Sequence, residues 1–245
     1  MAEPEYPPGH YHADNPHHRD ISGGAARAAV FGVSDGLVSN VALILGVAGA
    51  SPAPGVVRLA GLAGLIAGAV SMAAGEYVSV KAQVELIERE LEMERIELER
   101  RPDVEQRELA GIYIRRGVEP ALANQLAAAM SADPALALQT HAREELGVDP
   151  SALGSPIKAA LASLVSFAVG ALTPLVPWFL ATGAAAVVAS VVLGGVAAIA
   201  VGVALAVFTE RRWPISAARQ LLIAAVAASV TFGVGRLVGA GVGGP

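Results

Sequence analysis

From Ala159 to Thr209 the chain carries no charged side chain, and this run fixes the kind of solvent in which the protein folds. A helix needs about 20 apolar residues to cross a bilayer, and only helices or closed barrels satisfy their backbone in lipid. The run is long enough for two crossings. Thr173-Pro174-Leu175-Val176-Pro177-Trp178 supplies the break between them, because each proline removes a donor and disfavours helix in the residue before it. Ala28 to Val57 holds a single charge, Asp35; Leu59 to Gly75 holds none; and the apolar run after Trp213 is interrupted only by Arg219 and Arg236. The pattern predicts an all-α membrane protein with five transmembrane helices near 28–50, 57–80, 157–177, 182–208 and 215–240.

Several function classes fall away at once. The chain has no Cys, which excludes disulfides, thiolate metal sites and cysteine nucleophiles. A net charge of −5 and a pI near 5.5 exclude nucleic acid as a partner. No H-E-x-x-H occurs, and a di-iron oxidase of the ferritin type wants Glu-x-x-His motifs where only Glu-x-x-Glu is present. The chain is predicted not to be an enzyme and to carry no prosthetic group. A polar stretch precedes the first apolar run, so no cleaved signal is expected.

Lys and Arg near the spans set orientation. Arg19 and Arg27 precede the first, Lys81 and Arg89 follow the second, Lys158 opens the third, and Arg211, Arg212 and Arg219 separate the fourth from the fifth. The other side shows Arg58 and Arg236. This asymmetry places the N-terminus in the cytoplasm and the C-terminus outside. The chain then divides into a mobile His-containing tail (1–27), two transmembrane helices (28–80), a cytoplasmic acidic helical insert (81–150) and three further transmembrane helices (151–245). A bacterial plasma membrane is the expected location, on the Ala- and Gly-rich composition.

The insert holds 15 of the 22 acidic residues. VKAQVELIERELEMERIELERR continues the second span as a helix and sets Glu90, Glu94 and Glu97 on one face. Like charges one turn apart destabilise a helix by roughly 0.2–0.5 kcal/mol per pair, and Glu85 with Arg89 and Glu97 with Arg101 offset part of this. After Pro102 a second helix carries Glu105 and Glu108 three apart; Asp133-Pro134, an N-cap with proline at the first helical position, opens another in which His141 and Glu145 stand one turn apart. A solvated charged surface explains any one such run. Acidic pairs repeated on separate helices also suit a divalent cation, which takes carboxylate and imidazole ligands.

Asp35 lies within the first span, where a carboxylate costs about 2.5–3.5 kcal/mol and usually faces a bundle interior on an ion or proton route. Capping or pairing with a neighbouring helix is the plainer alternative. The second span ends SMAAGEYVSVKAQ, with Met72, Glu76 and Ser79 on one stripe. A thioether and a carboxylate facing another carboxylate suit a transition-metal cation. Met72 alone reads as packing, and Glu76 alone as an interfacial residue paired with Lys81. Gly64 with Gly68, and Gly235 with Gly239, form GxxxG spacings that permit close helix contact without choosing a dimer face. Four of the five His lie in GHYHADNPHHRD, a further candidate for gathering metal.

SDGLVSN in the first span, SMAAGEYVSVKAQ ending the second, the Glu-rich insert and three further spans together resemble the vacuolar iron transporter family. The resemblance covers nearly the whole chain. It implies five membrane helices with a cytoplasmic three-helix insert between the second and third, assembly as a homodimer in the lipid bilayer, and export of Fe²⁺ or related ions such as Mn²⁺ from the cytosol in exchange for protons. It implies that Asp35 and Met72 line the route near the dimer interface. It also implies an insert metal site built from Glu94 and Glu97, Glu105 and Glu108, and Glu145. The chain departs from the eukaryotic pattern at His141-Ala142, where that pattern has Met-Met. Imidazole suits Fe and Mn but also Zn, Ni and Cu, so this exchange bears on ion preference. A membrane-anchored metal sensor or store, binding without flux, is the competing reading.

Overall fold

The structure is a computed structural model describing residues 24–50 and 53–242. All regular structure among them is helical. The elements are α1 (Gly24–Ala50), α2 (Pro54–Arg100), α3 (Pro102–Arg115), α4 (Pro120–Ser131), α5 (Pro134–Glu144), a 3-10 turn (Pro150–Ala152), α6 (Pro156–Leu175), α7 (Pro177–Leu180), α8 (Gly183–Thr209) and α9 (Trp213–Val242). Five of them are long and apolar enough to cross a membrane: α1, α2, α6, α8 and α9. The His-rich stretch of the tail lies outside the described residues.

α2 is one helix of 47 residues. No proline or glycine interrupts it after Gly75, so the apolar span and the acidic segment share one axis. At about 1.5 Å per residue it is roughly 70 Å long, more than twice the hydrocarbon thickness. It therefore projects well beyond any bilayer that its apolar half crosses.

α1 sits at the centre of the bundle, packed on α6 and α9, while α2 leans on α6. Small residues let these axes approach. A Cβ on Gly170 of α6 would strike the Val33 carbonyl, and one on Gly235 of α9 would strike the Gly46 carbonyl. Gly235 and Gly239, which form a GxxxG spacing, are thus spent on contact with α1 inside the chain. Buried residues gather along the α1 seams: Ile44, Leu175 and Trp178 in one cluster, Leu37, Val41, Leu45 and Ala224 in another. The outer faces of the bundle are large and apolar, with Leu59, Ile66, Val188 and Leu237 all exposed, as lipid contact requires.

The Pro174–Pro177 break differs in detail from expectation. α6 runs through Pro174 to Leu175, and the chain leaves helical geometry only at Ala181 and Thr182, after the short α7. Pro174 forfeits one donor but keeps its carbonyl paired, accepting a buried hydrogen bond of 2.7 Å from Ser190 Oγ of α8. The helix therefore tolerates it.

Beyond the membrane-spanning stretch, α3, α4 and α5 fold back against the α2 extension. Each has a sequence-coded start. Pro102, Pro120 and Pro134 occupy first helical positions, and Asp133 accepts from Ala135 N at 2.8 Å and Leu136 N at 2.9 Å as the expected N-cap of α5. Gly117, at φ 95°, turns the chain out of α3 in the left-handed region that favours glycine. Leu109, Ala110 and Ala127 form the small core between α3 and α4, and Arg116 pairs with Glu144 to tie α3 to α5.

Candidate functional site

The acidic faces converge where α2, α3 and α5 meet. Glu94, Glu105 and His141, each buried, bring one ligand atom apiece within 4.8 Å of one another. His141 is wholly buried; its Nδ1 lies 2.9 Å from Glu94 Oε1 and 3.5 Å from Glu145 Oε2. Distance alone does not make these hydrogen bonds. Neither ring nitrogen of His141, nor Oε1 of Glu94, has an aligned hydrogen-bond partner. Buried polar groups normally find partners, so a buried imidazole and two buried carboxylates with unpaired ligand-type atoms among them make this cluster a candidate cation site.

Electrostatics agrees. Burial, followed by the Glu94, Glu108 and Glu97 carboxylates, pushes Glu105 above the usual carboxylate range. Burial, then Glu94 and Glu108, pushes Glu145 up as well. Burial of the His141 ring favours its neutral form, but Glu94 and Glu145 outweigh it and hold the imidazole above its ordinary value. The cluster accordingly retains protons to dilute its own negative charge. A divalent ion supplies the same compensation.

The second arrangement lies on an open face where α1, α2 and α6 meet. Asp35 and Ser39 of α1, Ser71 and Met72 of α2 and Phe167 of α6 line one cavity of about 310 Å³. It exists because α2 presents Gly64 and Gly68 towards α1 and α6: a Cβ on Gly68 would run into the Phe167 ring, and one on Gly64 into Leu43. The cavity is open, and Asp35 is exposed in the single chain. Its neighbour Ser39 turns its hydroxyl back onto the Asp35 carbonyl at 2.6 Å. At the N-terminal side of α1, Glu76 is mostly buried, and its Oε2 lies 3.7 Å from Nη2 of the exposed Arg27.

Residues 26–236 match the sequence model of the VIT family. The chain belongs to the VIT family. It is 34% identical over 218 residues to vacuolar iron transporter 1 of Eucalyptus grandis, covering 89% of this chain and 88% of that protein. It is 33% identical over 230 residues to vacuolar iron transporter 1 of Oryza sativa subsp. japonica, covering 94% and 91%. Against the vacuolar iron transporter of Acanthamoeba castellanii identity is 40% over 164 residues, 66% of this chain and 59% of that one. With five apolar helices, this VIT-family chain is a multi-pass membrane protein.

In this VIT-family chain the expected residues fall into three groups. Glu94, Glu105 and His141 come together, with Glu145 at their edge. Glu97 and Glu108 are exposed, near enough to act on the protons of Glu105 and Glu145 without entering the cluster. Asp35 and Met72 share the membrane cavity, whereas Glu76 stands apart from it in its pair with Arg27. The alternative pairing of Glu76 with Lys81 is not what forms: Lys81 lies 3.2 Å from Glu85, one turn along its own helix. Asn40, which also lines the cavity, was not singled out by the sequence. Its signal was an amide side chain beside Ser34 and Ser39 within an apolar span.

Proposed function

We propose that this chain moves divalent transition-metal ions, Fe²⁺ or Mn²⁺, out of the cytosol in exchange for protons. One observation carries the reading: a carboxylate and a thioether, Asp35 and Met72, line a single open cavity among the apolar helices α1, α2 and α6. That donor pair fits a borderline cation better than an alkali ion or an organic solute. The three relatives named above are vacuolar iron transporters, and their names support metal as cargo.

In this reading the insert collects the ion. Glu94, Glu105, His141 and Glu145 ligate it, with Glu97 and Glu108 drawing it in, and the ion then passes Glu76 to reach Met72 and Asp35. Proton exchange has a physical basis, because a carboxylate must lose its proton to ligate metal and the two cations therefore compete at Asp35. A second copy of the chain lies over the open side of the cavity, which removes Asp35 from lipid. The homodimer thus answers the cost of the intramembrane carboxylate. The insert and the N-terminus face the cytoplasm, and the C-terminus lies outside.

Sealed vesicles holding the purified protein test the reading when Fe²⁺, Mn²⁺, Co²⁺, Ni²⁺ and Zn²⁺ are offered in turn and internal pH is followed. Metal entry with a matching rise of internal pH is expected. Metal bound to the protein without flux would make the chain a membrane-anchored sensor or store instead.

A further inference from the structure

Asn40 is the one side chain of the membrane cavity that is both polar and almost fully buried, with 2% of its surface exposed. Its Nδ2 donates a 2.5 Å hydrogen bond to the Ala171 carbonyl of α6. A carbonyl can only accept, so the amide has a single orientation: nitrogen towards α6, oxygen away from it. That oxygen, Oδ1, is buried and has no hydrogen-bond partner. It lies beside α2 at the cavity wall, where a Cβ on Gly64 would be 3.1 Å from it. Glycine at this position leaves no side chain between the buried oxygen and the α2 backbone.

We propose that Asn40 Oδ1 is a further ligand of the travelling ion and tilts the cavity towards harder divalent cations. This rests on the reading that the cavity of Asp35 and Met72 is the ion route. Met72 offers a soft sulfur and Asp35 a charged oxygen that exchanges a proton. Asn40 offers a neutral oxygen that does not titrate, so it holds the ion whether Asp35 is charged or protonated. Carbonyl oxygen suits Mn²⁺, whereas thioether sulfur gives its advantage to Zn²⁺. The bond to Ala171 positions the donor as outer-shell bonds position metal ligands elsewhere.

Two variants test this in sealed vesicles, with KM for Mn²⁺ and the Zn²⁺ concentration that halves Mn²⁺ flux as paired readouts. Asn40→Leu keeps the volume and removes the oxygen. Gly64→Ala keeps Asn40, sets a methyl against its oxygen and displaces the flexible end of Leu43, and decides the matter if Asn40→Leu fails to fold. In each, KM for Mn²⁺ should rise about tenfold while the Zn²⁺ concentration changes little. Unchanged values, or equal losses for both ions, would show that Asn40 only packs and would overturn the proposal. Asp35→Asn in the same vesicles separates the two layers. If it transports like the unaltered chain, the route itself is misplaced; if it is inactive while the Mn²⁺ to Zn²⁺ balance of the other variants is unmoved, the Asn40 assignment alone fails.

Discussion

His141 Nδ1 lies 2.9 Å from Glu94 Oε1, which joins α5 to the stretch of α2 that projects past its apolar half. The two residues are 47 positions apart, and both are buried. Such a contact between an imidazole and a carboxylate, unaligned as a hydrogen bond, is geometry that a shared cation would complete.

Loss of either ligand is therefore expected to weaken metal binding far more than loss of a rim glutamate. His141→Ala and Glu94→Gln should each lower Mn²⁺ or Zn²⁺ affinity by about tenfold or more, and Glu97→Gln by much less, measured by calorimetry on the full chain in detergent. Equal effects at Glu94 and Glu97 would mean that burial plays no part. His141→Ala should reduce affinity for Zn²⁺ and Ni²⁺ more than for Mn²⁺, since imidazole is the better ligand for the first two.

The insert should loosen as pH rises when metal is absent. Glu105 and Glu145 have folded pKa values above the ordinary 4.5, and His141 above the ordinary 6.5. In all three the folded chain holds protons more tightly than the unfolded one, so the free energy of unfolding falls as pH rises. For the carboxyls the loss begins at the ordinary value and ends at the raised one. For His141 the contribution is complete below 6.5 and vanishes as pH passes its raised value. Hydrogen exchange in α3 and α5, corrected for intrinsic rates, should accelerate from about pH 5 to about pH 8, and added Mn²⁺ should restore protection. Exchange that slows over that range would contradict the cluster as described.

Arg27 and Glu76 make a pair that is largely exposed on the arginine side. Such pairs contribute only about 0–1 kcal/mol, so Arg27→Gln should leave the melting temperature nearly unchanged. In the proposed route Glu76 is a stepping point that Arg27 occupies as a tethered cation. Arg27→Gln should then lower the metal concentration for half-maximal flux; a rise would assign Arg27 a supporting role instead.

The apolar blocks made the five spans legible, because charge-free length admits few alternatives, and Asp133-Pro134 announced the start of α5 through its cap. The meeting of Glu94, Glu105 and His141 could be read only as spacing. Whether Glu94 or Glu97 turns inward depends on how α3 and α5 fold back, which one-turn periodicity leaves open. Asn40 escaped notice because an amide in an apolar span resembles a helix-packing residue, and only the Ala171 bond reveals which way its oxygen points. Gly235 and Gly239 carry a motif shared by contacts within and between chains, and packing against Gly46 and Ala50 decided for the former.

The central claim is that a dication crosses the membrane at Asp35. Its most direct test is metal-driven proton movement in sealed vesicles bearing Asp35→Asn, with detergent binding confirming that the insert still holds metal. The account predicts intact binding at the insert with both metal flux and proton movement abolished. Proton-coupled flux at the rate of the unaltered chain would contradict it.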